Sequence, residues 1–167
     1  QILYFLDEMF PLKLCLLRRF LNSYPYYLHF HYNSDMSIPA LLNVNQLAAR
    51  KGAHELEFAV KKVHSLDTSK GGPEGYLEAI VRRVEEMVIE EIRRFYPEDN
   101  FLSSTTGSEV NNSNITWVLK AIDGDTNFIN GYPHFALSLC SLIDEVPTTA
   151  VIIDPIRREE FSASKGS

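Results

Sequence analysis

From Leu41 to about Val63 apolar residues recur at helical intervals, at Leu42, Leu47, Leu56, Ala59, Val60 and Val63, while Lys51, Glu55, Lys61 and Lys62 are left for a wet face. This spacing predicts an amphipathic helix. Gly52 lies inside it and weakens it by about 1 kcal/mol relative to alanine. A second helix is predicted from about Tyr76 to Tyr96, with Leu77, Ile80, Val84, Met87, Val88 and Ile92 as its apolar stripe. Arg82, Arg83, Glu85, Glu86, Glu90, Glu91, Arg93 and Arg94 cover the rest, with opposite charges three and four apart, and read as a solvated face. Neither Glu85 nor Glu86 is expected to catalyse, because both sit well inside the helix. Asp67 to Gly75, dense in Ser, Thr, Gly and Pro, reads as a turn, and Pro97 is expected to stop the second helix.

After Pro97 the pattern changes to that of strands. Phe101-Leu102 reads as a short one, followed by a plain polar loop from Ser103 to Asn114; Ile115–Ala121 and Phe135–Leu142 are two more apolar runs with β character. Pro147 marks a break. Thr149–Asp154 and Glu160–Ser164 read as a hairpin around Asp154-Pro155-Ile156-Arg157-Arg158, in which Asp154 starts the turn. Helices first and paired strands afterwards suit an α+β domain, layered helices packed on a largely antiparallel sheet. No internal repeat is seen.

A chain of 167 residues, 45% hydrophobic, holds enough apolar side chain for one domain with a real core. The net charge of −6 argues against a nucleic-acid surface held by bulk electrostatics. Cys15 and Cys140 sit in apolar surroundings and read as buried free thiols, which points to a reducing, cytoplasmic setting. The sequons at Asn111 and Asn114 then mark a polar loop and nothing more. Gln1 to Asp35 differs from the remainder: charges interrupt its Leu, Phe and Tyr too often for a membrane span, and no targeting signal is visible. Residues 1–35 are therefore set apart as an N-terminal extension from a domain at 36–167, with Met36 as the candidate initiator. Tyr24–Tyr32 interleaves aromatic and His residues but has few cations beside it to make a base-stacking surface. His54 and His64 have no partner at metal-ligand spacing and are expected at surface or cap positions.

The candidate chemistry lies in Trp117–Phe135. Strand-forming Val118 and Leu119 lead into Asp123-Gly124-Asp125-Thr126, where two carboxylates flank a glycine that lets the backbone bend and approach a ligand. Thr126-Asn127-Phe128 can open a helix, so that N–H groups face whatever the carboxylates hold. A hard divalent cation bridged to a phosphate suits that geometry. An ordinary turn capped by aspartates is the alternative.

Trp117, Ile122, Asp123, Gly124, Thr126, Asn127, Phe128, Pro133, His134 and Phe135 resemble, without a gap, the signature of the inositol monophosphatase family, whose pattern runs WxxDPxDGTxNF with a proline and an aromatic after it. Val151–Pro155 and Glu160–Ala163 are similar to the family's next strand pair, and Lys165-Gly166 to the turn after it; the likeness begins near Leu41. It implies the N-terminal half of a fold that continues with further strands and a later metal-binding aspartate. It also implies a Mg²⁺-dependent hydrolysis of a small phosphorylated substrate such as inositol 1-phosphate. On this likeness Asp123 and Asp125 are the catalytic candidates, Gly124, Asp125 and Thr126 bind substrate, and Asp123 with the Ile122 carbonyl binds metal.

Several positions depart from the pattern. Lys120 and Ala121 stand where the family has its first aspartate and proline, and Asp125 where it has threonine. Its paired glutamates fall on Ser104 and Thr105, its upstream aspartate-valine-threonine segment on Gly75, Leu77 and Glu78, and the next aspartate on Val81. An ammonium about 4 Å from Mg²⁺ repels it by roughly 8 kcal/mol at an effective dielectric of about 20, where a carboxylate would attract as strongly. The expectation is that Lys120 takes the cation's place and pairs with Asp123 or Asp125. Reduced phosphatase activity is then one reading; a non-catalytic pseudoenzyme or interaction module, and a purely structural fragment, are the others. A sheet lacking its later strands also leaves an edge for which pairing with another chain, as in a homodimer, is a remedy.

Overall fold

The computed structural model describes residues 37–63 and 72–166. Helix α1 (Ile38–Val60) starts three residues before the apolar spacing does, because its start is set by a cap: the Ser37 side chain accepts from the Ala40 N–H, and Pro39 sits in the first turn. Its buried face is Leu41, Val44, Asn45, Ala48, Ala49, Gly52, Ala53, Leu56, Ala59 and Val60. Leu47, expected in the stripe, is 46% exposed, since it falls off the line that Leu41, Val44 and Ala48 define. Small residues in the middle of α1 let it lie close to its neighbours.

Helix α2 (Gly72–Arg93) begins four residues before the expected start, so residues 72–75 form its first turn rather than a loop. Phe95 and Tyr96 donate to the Ile92 carbonyl, closing the last turn ahead of Pro97. Ile80, Val84, Val88 and Ile92 enter the core as expected and Ile89 joins them, whereas Met87, expected in the stripe, is half-buried. The charged face is not wholly solvated. Glu85 is fully buried and Glu91 nearly so, the latter paired with Lys51 of α1 at 2.8 Å.

Six strands follow in one sheet: β1 (Asn100–Ser103), β2 (Gly107–Glu109), β3 (Ile115–Asp123), then helix α3 (Asp125–Ile129), β4 (Ala136–Ile143), β5 (Val146–Asp154) and β6 (Glu159–Ser164). Their spatial order is β2-β1-β3-β4-β5-β6, and every pairing is antiparallel except β1 with β3. Strand β2 occupies part of the expected loop, and Pro147 lies inside β5, beside a register shift that absorbs its missing N–H. Helix α1 packs over β4, β5 and β6 and α2 over β3, so Trp117, Leu119, Leu137, Leu139, Val151 and Ile153 point into one core.

Within that core a buried polar group joins helix to sheet: Asn45 donates to Thr149 Oγ1 at 2.9 Å, which is 2.6 Å from Ser141 Oγ. Trp117 is fully buried, 5.8 Å from the Tyr96 ring, and donates to Asp99 Oδ2 at 2.8 Å. Cys140 is a buried free thiol, as expected, and burial pushes it up to about 12. Among the described residues no helix is long and apolar enough to cross a membrane. The expectations for Gln1–Asp35, Met36, Cys15, Tyr24–Tyr32 and His64 lie outside the described residues.

Gly52 marks the closest approach. A Cβ there would stand 2.7 Å from Leu137 Cδ1, 2.8 Å from Val88 Cγ2 and 3.1 Å from Val84 Cγ1. Helix propensity alone favours Gly52→Ala by about 1 kcal/mol. Overpacking opposes it by about 1–3 kcal/mol. The variant is expected to be net destabilised, by up to about 2 kcal/mol, in urea unfolding.

Candidate active site

Strand β3 ends at Asp123, just past a register shift in its pairing with β4 between Lys120 and Asp123. Gly124 then turns the chain with φ 99° and ψ 42°, and a Cβ there would stand 3.0 Å from the His134 carbonyl oxygen and 3.2 Å from Phe135 Cβ. Glycine is therefore required on both counts. Helix α3 is held from beneath by Phe128, fully buried and edge-on to Phe135 at 5.2 Å between ring centres. From the side, Asn127 Nδ2 donates to the His134 carbonyl at 2.7 Å. The result is a cleft of about 320 Å³ lined by Asp123, Gly124, Asn127, His134, Phe135, Ala136 and Asp154.

Lys120 Nζ lies 2.9 Å from Asp123 Oδ1. Asp154 Oδ1 accepts from the Ile156 and Arg157 N–H groups, both at 2.9 Å, which is the turn role expected of it. Arg157 Nη1 stands 3.6 Å from Asp154 Oδ2 and 3.3 Å from His134 Nδ1. Asp123 and Gly124 thus line the cleft, whereas Asp125 and Thr126 are exposed on α3 and do not. The Thr126 carbonyl accepts from both the backbone N–H and the side-chain amide of Asn130. The Ile122 side chain is buried in the core, and Val81 packs against its margin. His54 is exposed, edge-on to Phe58.

The segment after β1 is not the plain loop that its composition suggests, and Glu85 is not a surface charge. Glu85 Oε1 accepts from the Ser104 N–H, the Ser104 hydroxyl and the Thr105 N–H, and Oε2 from the Ser103 hydroxyl and from the N–H and hydroxyl of Thr106, at 2.8–3.1 Å. Burial pushes this carboxyl up. Donation from the Thr106 hydroxyl and N–H, the Ser104 hydroxyl and the Thr105 N–H outweighs it and holds the group below the ordinary glutamate range. The signal in the sequence is its place: Glu85 is four residues after Val81 and four before Ile89, inside the apolar stripe. At the opposite end of β1, Asp99 and Asn100 fasten the 111–115 segment, with Asp99 Oδ1 accepting from Ser113 Oγ and Asn100 Nδ2 donating to the Ile115 carbonyl. Burial pushes the Asp99 carboxyl up against the opposing pull of Ser113 and Trp117.

The sequence model of the Inositol monophosphatase family matches residues 39–167, which hold both long helices, the sheet and the WxxxxxDG turn that closes onto Asn127 and Phe128. The chain belongs to that family. It is 34% identical over 127 residues to "Nus factor SuhB" of Pasteurella multocida, an alignment covering 75% of this chain and 48% of that protein, and 31% identical over 127 residues to "Nus factor SuhB" of Escherichia coli K12, with the same coverage. The crystal structure of extragenic suppressor protein suhB from Bartonella henselae superposes with a TM-score of 0.66 at 27% identity, covering 77% of this chain and 49% of that one. Inositol monophosphatase from Anabaena superposes with a TM-score of 0.63 at 28% identity, covering 78% and 46%. The chain spans about half the length of the curated relatives it matches.

The donors here do not fit the Mg²⁺ that the inositol monophosphatase likeness implies. Asp123 faces an ammonium, Asp154 is engaged by backbone N–H groups, the Ser104 hydroxyl by Glu85, and Val81 has no donor atom. Among the described residues no three His, Cys, Asp or Glu side chains are grouped to hold a metal ion.

The depressed Glu85 carboxyl makes a signed prediction. Its contribution to stability is fully present above the unfolded value near 4.5 and is lost as pH falls through the lower folded value. Glu85→Gln, which leaves one acceptor oxygen and sets an NH₂ against donors, should cost about 2 kcal/mol or more at neutral pH. That deficit should shrink below about pH 4, and chemical denaturation at several pH values measures both.

Proposed function

We propose that this chain is part of a Mg²⁺-dependent phosphomonoesterase lineage acting on inositol 1-phosphate or a similar sugar phosphate, and that in this chain the activity is reduced or lost. The observation that carries the reading is the Lys120–Asp123 ion pair at 2.9 Å. It sets a fixed cation on the carboxylate that a divalent ion would need, and roughly 4 kcal/mol of repulsion per unit of cation charge opposes any ion brought to about 4 Å. Asp123 and Gly124 retain the cleft side of the turn, with Asp125 and Thr126 next along α3 as candidates for meeting a phosphate from solvent.

A second reading is favoured by the same ion pair together with the relatives named "Nus factor SuhB": a non-catalytic member that keeps the scaffold as an interaction module. The apolar residues around the turn, Phe128, Phe135 and Leu137, stay buried while the nearby carboxylate Asp123 is paired with Lys120, which is what such a member would retain.

Phosphate release from inositol 1-phosphate, measured with and without Mg²⁺, separates the two. Turnover stimulated by Mg²⁺ at a low rate supports reduced activity and the first reading, background release supports lost activity and with it the second, and vigorous Mg²⁺-stimulated turnover by the unaltered chain overturns both. In calorimetry the Lys120→Asp, Ser104→Glu, Thr105→Glu variant should bind Mg²⁺ at least about tenfold more tightly than the parent. Equal binding by both would remove the electrostatic basis of the proposal.

A further inference from the structure

We propose that Ser103–Thr106 is an anion-binding nest whose occupant is the chain's own Glu85 carboxylate, and that Glu85 is the positioning residue for this turn at the end of β1. Three successive amides, those of Ser104, Thr105 and Thr106, converge on one carboxylate, and the hydroxyls of Ser103, Ser104 and Thr106 complete the set. Each carboxylate oxygen receives three donors. Consecutive N–H groups aimed at a single anion form the concave arrangement by which backbone binds carboxylate or phosphate oxygens. No lysine or arginine is among these partners, so hydrogen bonds alone offset the cost of taking the charge out of water.

The nest also has a defined place. Strand β1 runs parallel to β3 with Ser103 opposite Leu119, so the nest opens where β1 ends, beside the residues that lead to Lys120 and Asp123. Glu85 reaches it from the middle of α2, tying helix to strand end. The chemistry is affected in two ways. The amides of residues 104–106 are already committed and offer nothing to an external phosphate, and the segment is ordered by an internal anion.

The ligand class of the emptied nest is a small carboxylate. In Glu85→Ala, amide exchange at Ser104, Thr105 and Thr106 should quicken at least about tenfold more than at the amides of β4 and β5. Added formate or acetate should restore protection and the parent amide shifts saturably, while chloride at equal ionic strength should not. Failure of both carboxylates to restore these three amides, or loss spread evenly over the sheet, overturns the nest. If Glu85→Ala does not fold, carboxyl-carbon NMR of the parent chain decides: Glu85 should titrate below the exposed glutamates and move upward in Ser104→Ala with Thr106→Val. An unchanged Glu85 titration in that double variant overturns the proposal equally.

Discussion

The hydrogen atom that serves as the side chain of residue 52 governs how the layers meet. At that point α1, α2 and β4 converge so closely that one added carbon would collide with Leu137 of the sheet and with Val84 and Val88 of the second helix. Those two valines bracket Glu85. The seating of α2 against α1 therefore decides whether the Glu85 carboxylate arrives at the end of β1, where three amides and three hydroxyls meet it. A packing constraint thus sets an electrostatic one. Interiors at crystal-like density transmit small displacements, and a hydrogen-bonded buried anion tolerates little of them.

At the cleft the same scaffold holds a different balance of charge. The turn at Gly124, the Asn127 bond to the His134 carbonyl and the Phe128–Phe135 packing keep the backbone in the family's shape. The carboxylates on that frame are answered from within the chain: Asp123 by Lys120, Asp154 by the amides of its own turn and by Arg157, Glu85 by the nest. Shape is set by apolar volume and glycine. The charge arrangement is set by single polar residues such as Lys120 and Asp123.

This division explains how much of the molecule is legible in its sequence. Periodicity reveals both helices, because Val84, Val88 and Ile92 repeat at helical spacing, and it reveals β3, β4 and the β5–β6 hairpin through alternation and the Asp154-Pro155 turn. It misplaces the helix starts, since Ser37 acts through one cap bond and residues 72–75 look like a turn until they are wound into one. Leu47 reads as inward and Glu85 as outward when composition is weighed at those positions more than phase. The pairing of Lys120 with Asp123 is legible, being three residues apart just before the bend. The donors to Glu85 are not: they lie 18 to 21 positions away, and the pairing of β1 with both β2 and β3 fixes where β1 delivers them.

The single tryptophan occupies β3 six residues before Asp123, without solvent contact, its indole N–H held by Asp99 and its ring near that of Tyr96. Nature has in effect installed one fluorophore on the strand that delivers the turn. Its emission, blue while the indole is dry and red once water reaches it, reports the integrity of this strand without any attached dye.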